Sequence, residues 1–195
     1  MARFMRILLP ALAALSLSAC GVNSIPTKEE AAKAAWGEVQ NQYQRRADLV
    51  PQIVGAVKGA AAQERNVLRE VTEARASATQ IQLSGEQLSD PAAMARFAEA
   101  QARLSTSILA VQRLQEAYPD LKTNANFMAL QSQLEGTENR IAIARRDYNS
   151  AVQAFNTEIR TFPSIIGARI IYGSKPMTPY QAVSPGAETA PKVEF

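Results

Sequence analysis

The chain contains no histidine, and Cys20 is its only cysteine. Without histidine, neither a Ser-His-Asp nor a Cys-His catalytic arrangement can form, and histidine-ligated zinc, iron and copper sites are excluded. A single cysteine also excludes an intramolecular disulfide. The sequence has neither a G-x-x-x-x-G-K-[ST] nor a G-x-G-x-x-G motif, which removes the usual phosphate cradles of nucleotide-binding proteins. We therefore expect a protein that is not an enzyme and that uses no cofactor and no metal.

The first twenty residues have the pattern of an export signal. Arg3 and Arg6 make the start basic, the stretch Ile7–Leu17 is almost entirely apolar, and small residues follow up to Cys20. This order of charge, apolar run and small residues is typical of a secretory signal peptide. The apolar run is shorter than the roughly 20 residues that a membrane-spanning helix needs.

The end of this segment, Leu17-Ser18-Ala19-Cys20, resembles the lipobox of bacterial lipoproteins. The resemblance implies cleavage before Cys20, a diacylglycerol group on its sulfur and acylation of the new amino terminus, because stable anchoring needs more than one acyl chain. The alternatives are a secreted protein with a free thiol and an uncleaved anchor. We predict a signal peptide over residues 1–19 and a lipidated tether over 20–26. The protein would then lie on the exported side of the bacterial cell envelope, held in either the inner or the outer membrane.

The net charge gives no support for nucleic-acid binding. The full sequence has 21 basic and 18 acidic residues, a charge of +3. Removing residues 1–19 takes away Arg3 and Arg6, so 19 basic residues remain against 18 acids and the charge falls to +1. The pairs Arg45-Arg46 and Arg145-Arg146 stand among acids, and neighbouring helical residues point about 100° apart, so we do not interpret either pair as a nucleic-acid contact.

Residues 27–163 have helical periodicity. Thr27 and Glu30 match a capping box that would start a first helix, expected to run to about Arg46. Pro51 disturbs any continuous helix, so we predict a break there, with Asp48 capping a second helix over residues 49–83. A single long helix kinked near Pro51 is the alternative.

Two further helices follow a polar loop. Asp90 and Pro91 have the residue types of a cap and a first helical position, and Pro119 ends the third helix. The fourth helix, from about Asn124 to Phe162, carries large apolar residues seven apart: Phe127, Leu134, Ile141, Tyr148, Phe155 and Phe162. We predict an all-α fold, an elongated antiparallel up-and-down helical bundle of four helices, or of three long ones with the first kinked near Pro51.

Residues 164–195 are rich in proline and predict a largely irregular carboxyl-terminal tail. Within it, Ile170, Ile171 and Tyr172 are the residues that could fold back on the helices.

The fourth helix also carries polar residues that form a candidate site. They are Asn124, Asn126, Glu138, Arg145, Tyr148 and Asn149. One interpretation is a surface that docks a partner or a small ligand. The other, more common for isolated polar residues on a helix seam, is a layer that fixes the register of the helices.

Several motifs in order resemble those of the LemA family of bacterial membrane-associated proteins. The matching blocks are Arg45–Val54 with Val57-Lys58-Gly59, Val71–Arg75, Tyr118–Lys122 with Asn124, Asn126 and Phe127, Thr137–Ile141, Ala144-Arg145, Tyr148-Asn149, Asn156, Phe162-Pro163 and Pro191–Phe195. The sequence departs from the family in its lipobox, where members commonly keep a hydrophobic anchor. It also has Ala47 where many members have histidine.

The resemblance implies a non-enzymatic helical bundle held at a membrane by its amino terminus. From it we expect a scaffold or adaptor of the cell envelope that contacts other, unidentified envelope proteins. One alternative is a structural protein that self-associates, as a homo-oligomer, and shapes the membrane. A regulatory subunit of an envelope protease is a third hypothesis.

Overall fold

The computed structural model describes residues 23–181, and within that range the secondary structure is helical with no strand. The predicted all-α class is therefore confirmed. Cys20, the predicted signal peptide and the last fourteen residues lie outside the described part of the chain. The elements are α1 (Ser24–Lys58), α2 (Arg65–Gln80), a 3₁₀ turn (Gly85–Ser89), α3 (Pro91–Ala117), α4 (Pro119–Thr123), α5 (Ala125–Glu158), α6 (Ser164–Gly167) and a π turn (Ala168–Tyr172).

Helix α1 packs chiefly against α5, and α2 packs chiefly against α3. The α1–α5 contacts follow a regular order. The Ser24 hydroxyl donates to Glu158, whereas Arg46, six turns further along α1, donates to Glu138. The residue number of the partner on α5 therefore falls as the residue number on α1 rises.

Helix α1 begins earlier than the sequence predicted, at Ser24 rather than at Thr27. The predicted capping box is wrong, because the Thr27 hydroxyl donates to the carbonyl of Asn23 one turn before it. Ser and Thr side chains inside a helix commonly make this bond to the preceding turn. Glu30, the other member of the predicted box, accepts a hydrogen bond from Lys33 instead.

The break predicted before Pro51 is also wrong, because α1 runs through this residue and ends at Lys58. A proline in a helix has no N–H for the carbonyl four residues earlier, here that of Ala47. The guanidinium of Arg75, on α2, supplies the missing donor, with 2.8 Å between its Nε and the Ala47 oxygen. The alternative prediction, a helix that continues past Pro51, is therefore correct at this residue. The chain leaves the helix over residues 59–64, a boundary that neither alternative contains.

The later helix boundaries agree better with the sequence. Asp90 accepts from the backbone N–H of Ala92 and caps α3, with Pro91 at the first helical position, as predicted. Helix α5 starts after Asn124 and ends at Glu158, four residues before the predicted end at Phe162. The predicted seven-residue series is buried from Phe127 to Phe155, whereas Phe162 is 81% exposed.

The core consists of two apolar clusters. One lies at the end where α1 begins and contains the aromatic rings of Trp36, Tyr43, Phe97, Tyr148 and Tyr180. The other is mainly aliphatic and packs the second half of α1 against α2, α3 and the first half of α5.

The tail is more ordered than expected up to residue 181. Residues 164–172 are helical, and Ile170 and Ile171 are exposed rather than folded back. The side chains that enter the core are instead those of Met177 and Tyr180, from an extended stretch without regular secondary structure.

The contact between Arg75 and Ala47 predicts a specific coupling with Pro51. Replacing Arg75 with Met leaves the Ala47 carbonyl without a donor, so the free energy of unfolding should fall by about 1–2 kcal/mol. In a Pro51→Ala chain the new backbone N–H can bond the same carbonyl. Arg75→Met should therefore cost less than about half as much there, as measured by chemical denaturation of all four chains.

Arg69→Met is the matched control for that cycle. Arg69 lies on the same helix, and its side chain is 71% exposed. Its replacement should change the free energy of unfolding by less than about 0.5 kcal/mol in either background. Equal costs of Arg75→Met with and without Pro51 would show that the guanidinium does not replace the missing donor.

Candidate functional site

A buried guanidinium, that of Arg46, lies at the centre of a polar network between the helices. The side chain is 1% exposed. Its two terminal nitrogens donate to the Ser105 hydroxyl at 2.6 Å, to Glu138 at 3.0 Å, and to the backbone and side-chain oxygens of Gln101 at 3.0 and 2.7 Å. Gln101 in turn donates to the carbonyl of Ala78 at 3.2 Å. The network therefore joins α1, α2, α3 and α5.

Arg46 is buried because it stands on the apolar seam of α1. The buried residues of this helix include Trp36, Val39, Tyr43, Arg46, Val50, Ile53 and Val57, at alternating steps of three and four. This spacing places them on one face. This spacing is therefore a sequence signal for a buried arginine, which our predictions did not include.

A cleft of about 260 Å³ lies beside this network, between α1, α3 and the end of α2. Its polar lining is largely neutral amide, including Gln40, Gln44 and Gln82. Tyr43 also lines it, and burial raises the pKa of this phenol well above its usual range, as does its hydrogen bond to Tyr180. The phenol therefore stays protonated near neutral pH, so the cleft can donate and accept hydrogen bonds but presents no group poised to lose a proton.

Two asparagines of α5 hold the extended tail segment. Asn156 donates to the carbonyl of Met177 and accepts from its backbone N–H, both at 2.8 Å. Asn149, two turns earlier, makes the same pair of bonds with the backbone of Tyr180, at 3.0 and 2.8 Å. We call this arrangement the asparagine clamp. It binds the main chain of the segment, while the Met177 and Tyr180 side chains enter the core.

The structure separates the predicted polar face into three places. Asn124 caps α5 through the backbone N–H groups of Asn126 and Phe127. Asn126 is exposed in the first turn. Glu138, half-exposed, belongs to the Arg46 network.

The other three predicted residues lie together at the clamp. The Arg145 guanidinium stacks on the Tyr180 ring at 4.3 Å, and the buried Tyr148 hydroxyl donates to the Thr178 carbonyl at 2.9 Å. Burial raises the pKa of the Tyr148 phenol above its usual range. Asn149 completes the group. These contacts hold the tail on α5 and engage the Tyr148 hydroxyl and the Asn149 amide, whereas the buried Nε of Arg145 has no hydrogen-bond partner among the described residues.

A third polar cluster closes the end of the molecule where α1 begins. Glu158 accepts from the Lys28 ammonium and from the Ser24 and Ser164 hydroxyls. These bonds, led by that of Lys28, lower the pKa of the Glu158 carboxyl from 4.5 to about 2. Because the folded pKa is the lower one, the cluster adds stability above pH 4.5 and loses it as the pH falls through about 2.

The described residues offer no metal centre. Within residues 23–181, no group of three Asp, Glu or Cys side chains is arranged to hold an ion. None of the helices in this range has both the length and the apolar character needed to cross a bilayer.

The sequence matches a known family model. The model described as LemA family aligns with residues 35–195, which is most of the chain. No curated protein matches the sequence.

The Arg46 network predicts that two adjacent arginines differ sharply in their contribution to stability. Arg46→Met leaves Gln101 and Ser105 without their donor inside the protein. The free energy of unfolding should therefore fall by about 2–4 kcal/mol. Arg45 is exposed, so Arg45→Met should change it by less than about 0.5 kcal/mol, although both variants lose the same charge. Denaturant titration checks both values, and similar costs at the two positions would contradict a structural role for Arg46.

Proposed function

We propose that the chain, which belongs to the LemA family, is a membrane-anchored, non-enzymatic scaffold or adaptor of the bacterial cell envelope. Lipid on Cys20 would hold it at the membrane, and the helices would present docking surfaces to other envelope proteins. We propose further that the helices form an elongated antiparallel bundle. The regular order of the contacts between α1 and α5 supports that arrangement.

The observation that carries this proposal is the contrast between the polar and the apolar side chains of the helices. Arg46, Tyr148 and Asn149, the most conspicuous polar groups, are engaged by the chain itself. By contrast, Met128 and Ile143 on α5, like Leu109 on α3, are large apolar residues that are 41–51% exposed. Such residues can contribute to contacts with another protein, whereas the terminal nitrogens of Arg46, the Tyr148 hydroxyl and the Asn149 amide already bond the chain itself.

The length of helix α5 supports an adaptor in a second way. Helix α5 has 34 residues, so its axis is about 50 Å long. A helix of this length, packed along α1, can carry a docking surface well away from the tether. Tethering would also raise the local concentration of the protein for partners at the same membrane.

The anchor predicts the behaviour of a Cys20→Ala chain. Without the sulfur no diacylglycerol can be attached, so the chain should keep its signal segment and should lack the mass of the acyl groups. Intact-mass spectrometry and membrane fractionation of cells measure both effects. If mass and fractionation are the same as for the natural chain, residues 1–19 are not a lipoprotein signal.

The docking surface predicts site-specific cross-linking in cells. A photoreactive amino acid at Met128 or Ile143 should give discrete adducts, because these side chains are exposed and apolar. Asp147, exposed on the same helix, is the matched position at which we expect few adducts. The captured proteins would be identified by mass spectrometry.

The mass of the adduct separates the adaptor from its main alternative. A product of one chain plus a different protein supports the adaptor. A product of twice the mass of the chain indicates self-association, as expected of a protein that shapes the membrane. Absence of adducts at both apolar positions, with a properly localised protein, would contradict the adaptor.

A further inference from the structure

A patch of exposed apolar side chains lies between the end of α5 and the extended tail. We call it the tether-end patch, and it consists of Phe162 (81% exposed), Ile166 (52%), Ile170 (78%), Ile171 (63%) and Tyr172 (41%). Single exposed apolar residues are ordinary, but five within eleven residues indicate a surface that meets another apolar phase.

In the short helical segment that carries most of the patch, the small residues face the protein and the large apolar residues face outward. Its small residues Ser164, Gly167 and Ala168 are buried against the rest of the protein. Phe162, Ile166 and Ile170, four residues apart, face outward. Large apolar side chains normally provide the core contacts of a helix, so packing within the chain does not explain this orientation.

The patch lies at the end of the protein from which the tether departs. The hydroxyls of Ser24, the first residue of α1, and of Ser164, beside the patch, both donate to the same oxygen of Glu158 at 2.5 Å. Cys20 precedes Ser24 by four residues, which can span about 14 Å at most. A lipid on Cys20 would therefore hold the bilayer surface within reach of the patch.

The charge around the patch also suits a membrane surface. Residues 159–176 contain Arg160, Arg169 and Lys175 and no acidic residue. All three cations are exposed. Acids do occur across the neighbouring cleft, at Glu29, Glu86 and Asp90, so we expect the apolar side chains to provide most of the contact and the cations to add to it at anionic lipids.

We propose that the tether-end patch inserts into the surface of the bilayer that holds the chain. The inference rests on the proposed anchor at Cys20, and it adds a second contact beside the acyl chains. Phe162 and the isoleucines would enter the boundary between headgroups and acyl chains, and Tyr172 would sit at headgroup level. Two contacts fix an orientation that the lipid on Cys20 alone would leave free.

The experiment uses depth-dependent quenching of tryptophan fluorescence by brominated lipids. The full-length chain is reconstituted into vesicles of phosphatidylcholine and phosphatidylglycerol whose acyl chains carry bromine. A Phe162→Trp chain should lose at least about half of the added fluorescence, because the indole would lie at the acyl boundary. The natural chain provides the background, since Trp36 is 2% exposed and packed in the core.

A matched control places the reporter at the other end of α5. Met128 is also apolar and 45% exposed, and it lies 30 residues before Glu158 on the same helix, about 45 Å away. Met128→Trp should therefore show little quenching. A second comparison adds Ile170→Gln to the Phe162→Trp chain, which should weaken the quenching, whereas Ile143→Gln, at an exposed isoleucine on the side of α5, should not.

Each outcome bears on the proposal. Quenching at 162 but not at 128, reduced by Ile170→Gln, supports it. No quenching at 162, or equal quenching at both positions, overturns it. The proposal is also overturned if a second copy of the chain covers the patch. Sedimentation would then show a dimer, and Ile170→Gln would dissociate it. Intact mass reports the lipid on Cys20 separately, so a chain without lipid that is still quenched at 162 would refute the anchor and uphold the patch.

Discussion

The hydrogen bonds of one buried guanidinium hold the four long helices in a fixed relation. Arg46 reaches Gln101 and Ser105 on α3 and Glu138 on α5, and Gln101 carries the connection to Ala78 on α2. Apolar contacts are not directional, whereas a buried cation requires each of its acceptors at a defined position. The network lies where the two clusters meet, because Arg46 stands on α1 between Tyr43 of the aromatic cluster and Leu49 of the aliphatic one.

Local periodicity predicted those parts of the fold that depend on burial along a single helix. The seven-residue series on α5 is buried from Phe127 to Phe155, and Asp90 caps α3 as its sequence context indicates. These features follow from the spacing of a few neighbouring residues, which the sequence displays directly. The all-α class follows from the same spacing.

Two of the errors share a physical cause, which is a polar partner distant in sequence. Pro51 predicts a helix break because the donor that replaces its N–H belongs to Arg75, and the burial of Arg46 escapes prediction because its acceptors lie on other helices. The candidate polar face is divided partly for the same reason. Glu138 joins the central network and Asn149 holds the tail through partners distant in sequence, whereas Asn124 caps its own helix through the next residues of the chain.

The asparagine clamp explains how two prolines of the tail are compatible with an ordered segment. The clamp and the Leu88 carbonyl engage the backbone N–H groups of Met177, Thr178 and Tyr180, and no such bond is required of Pro176 or Pro179. A proline at those two places costs the bound segment no hydrogen bond. Its ring also restricts the free segment to extended conformations. Less conformational entropy is then lost when the segment settles on α5. The prolines that predicted an irregular tail therefore reduce the conformational entropy that the segment loses when it becomes ordered on α5.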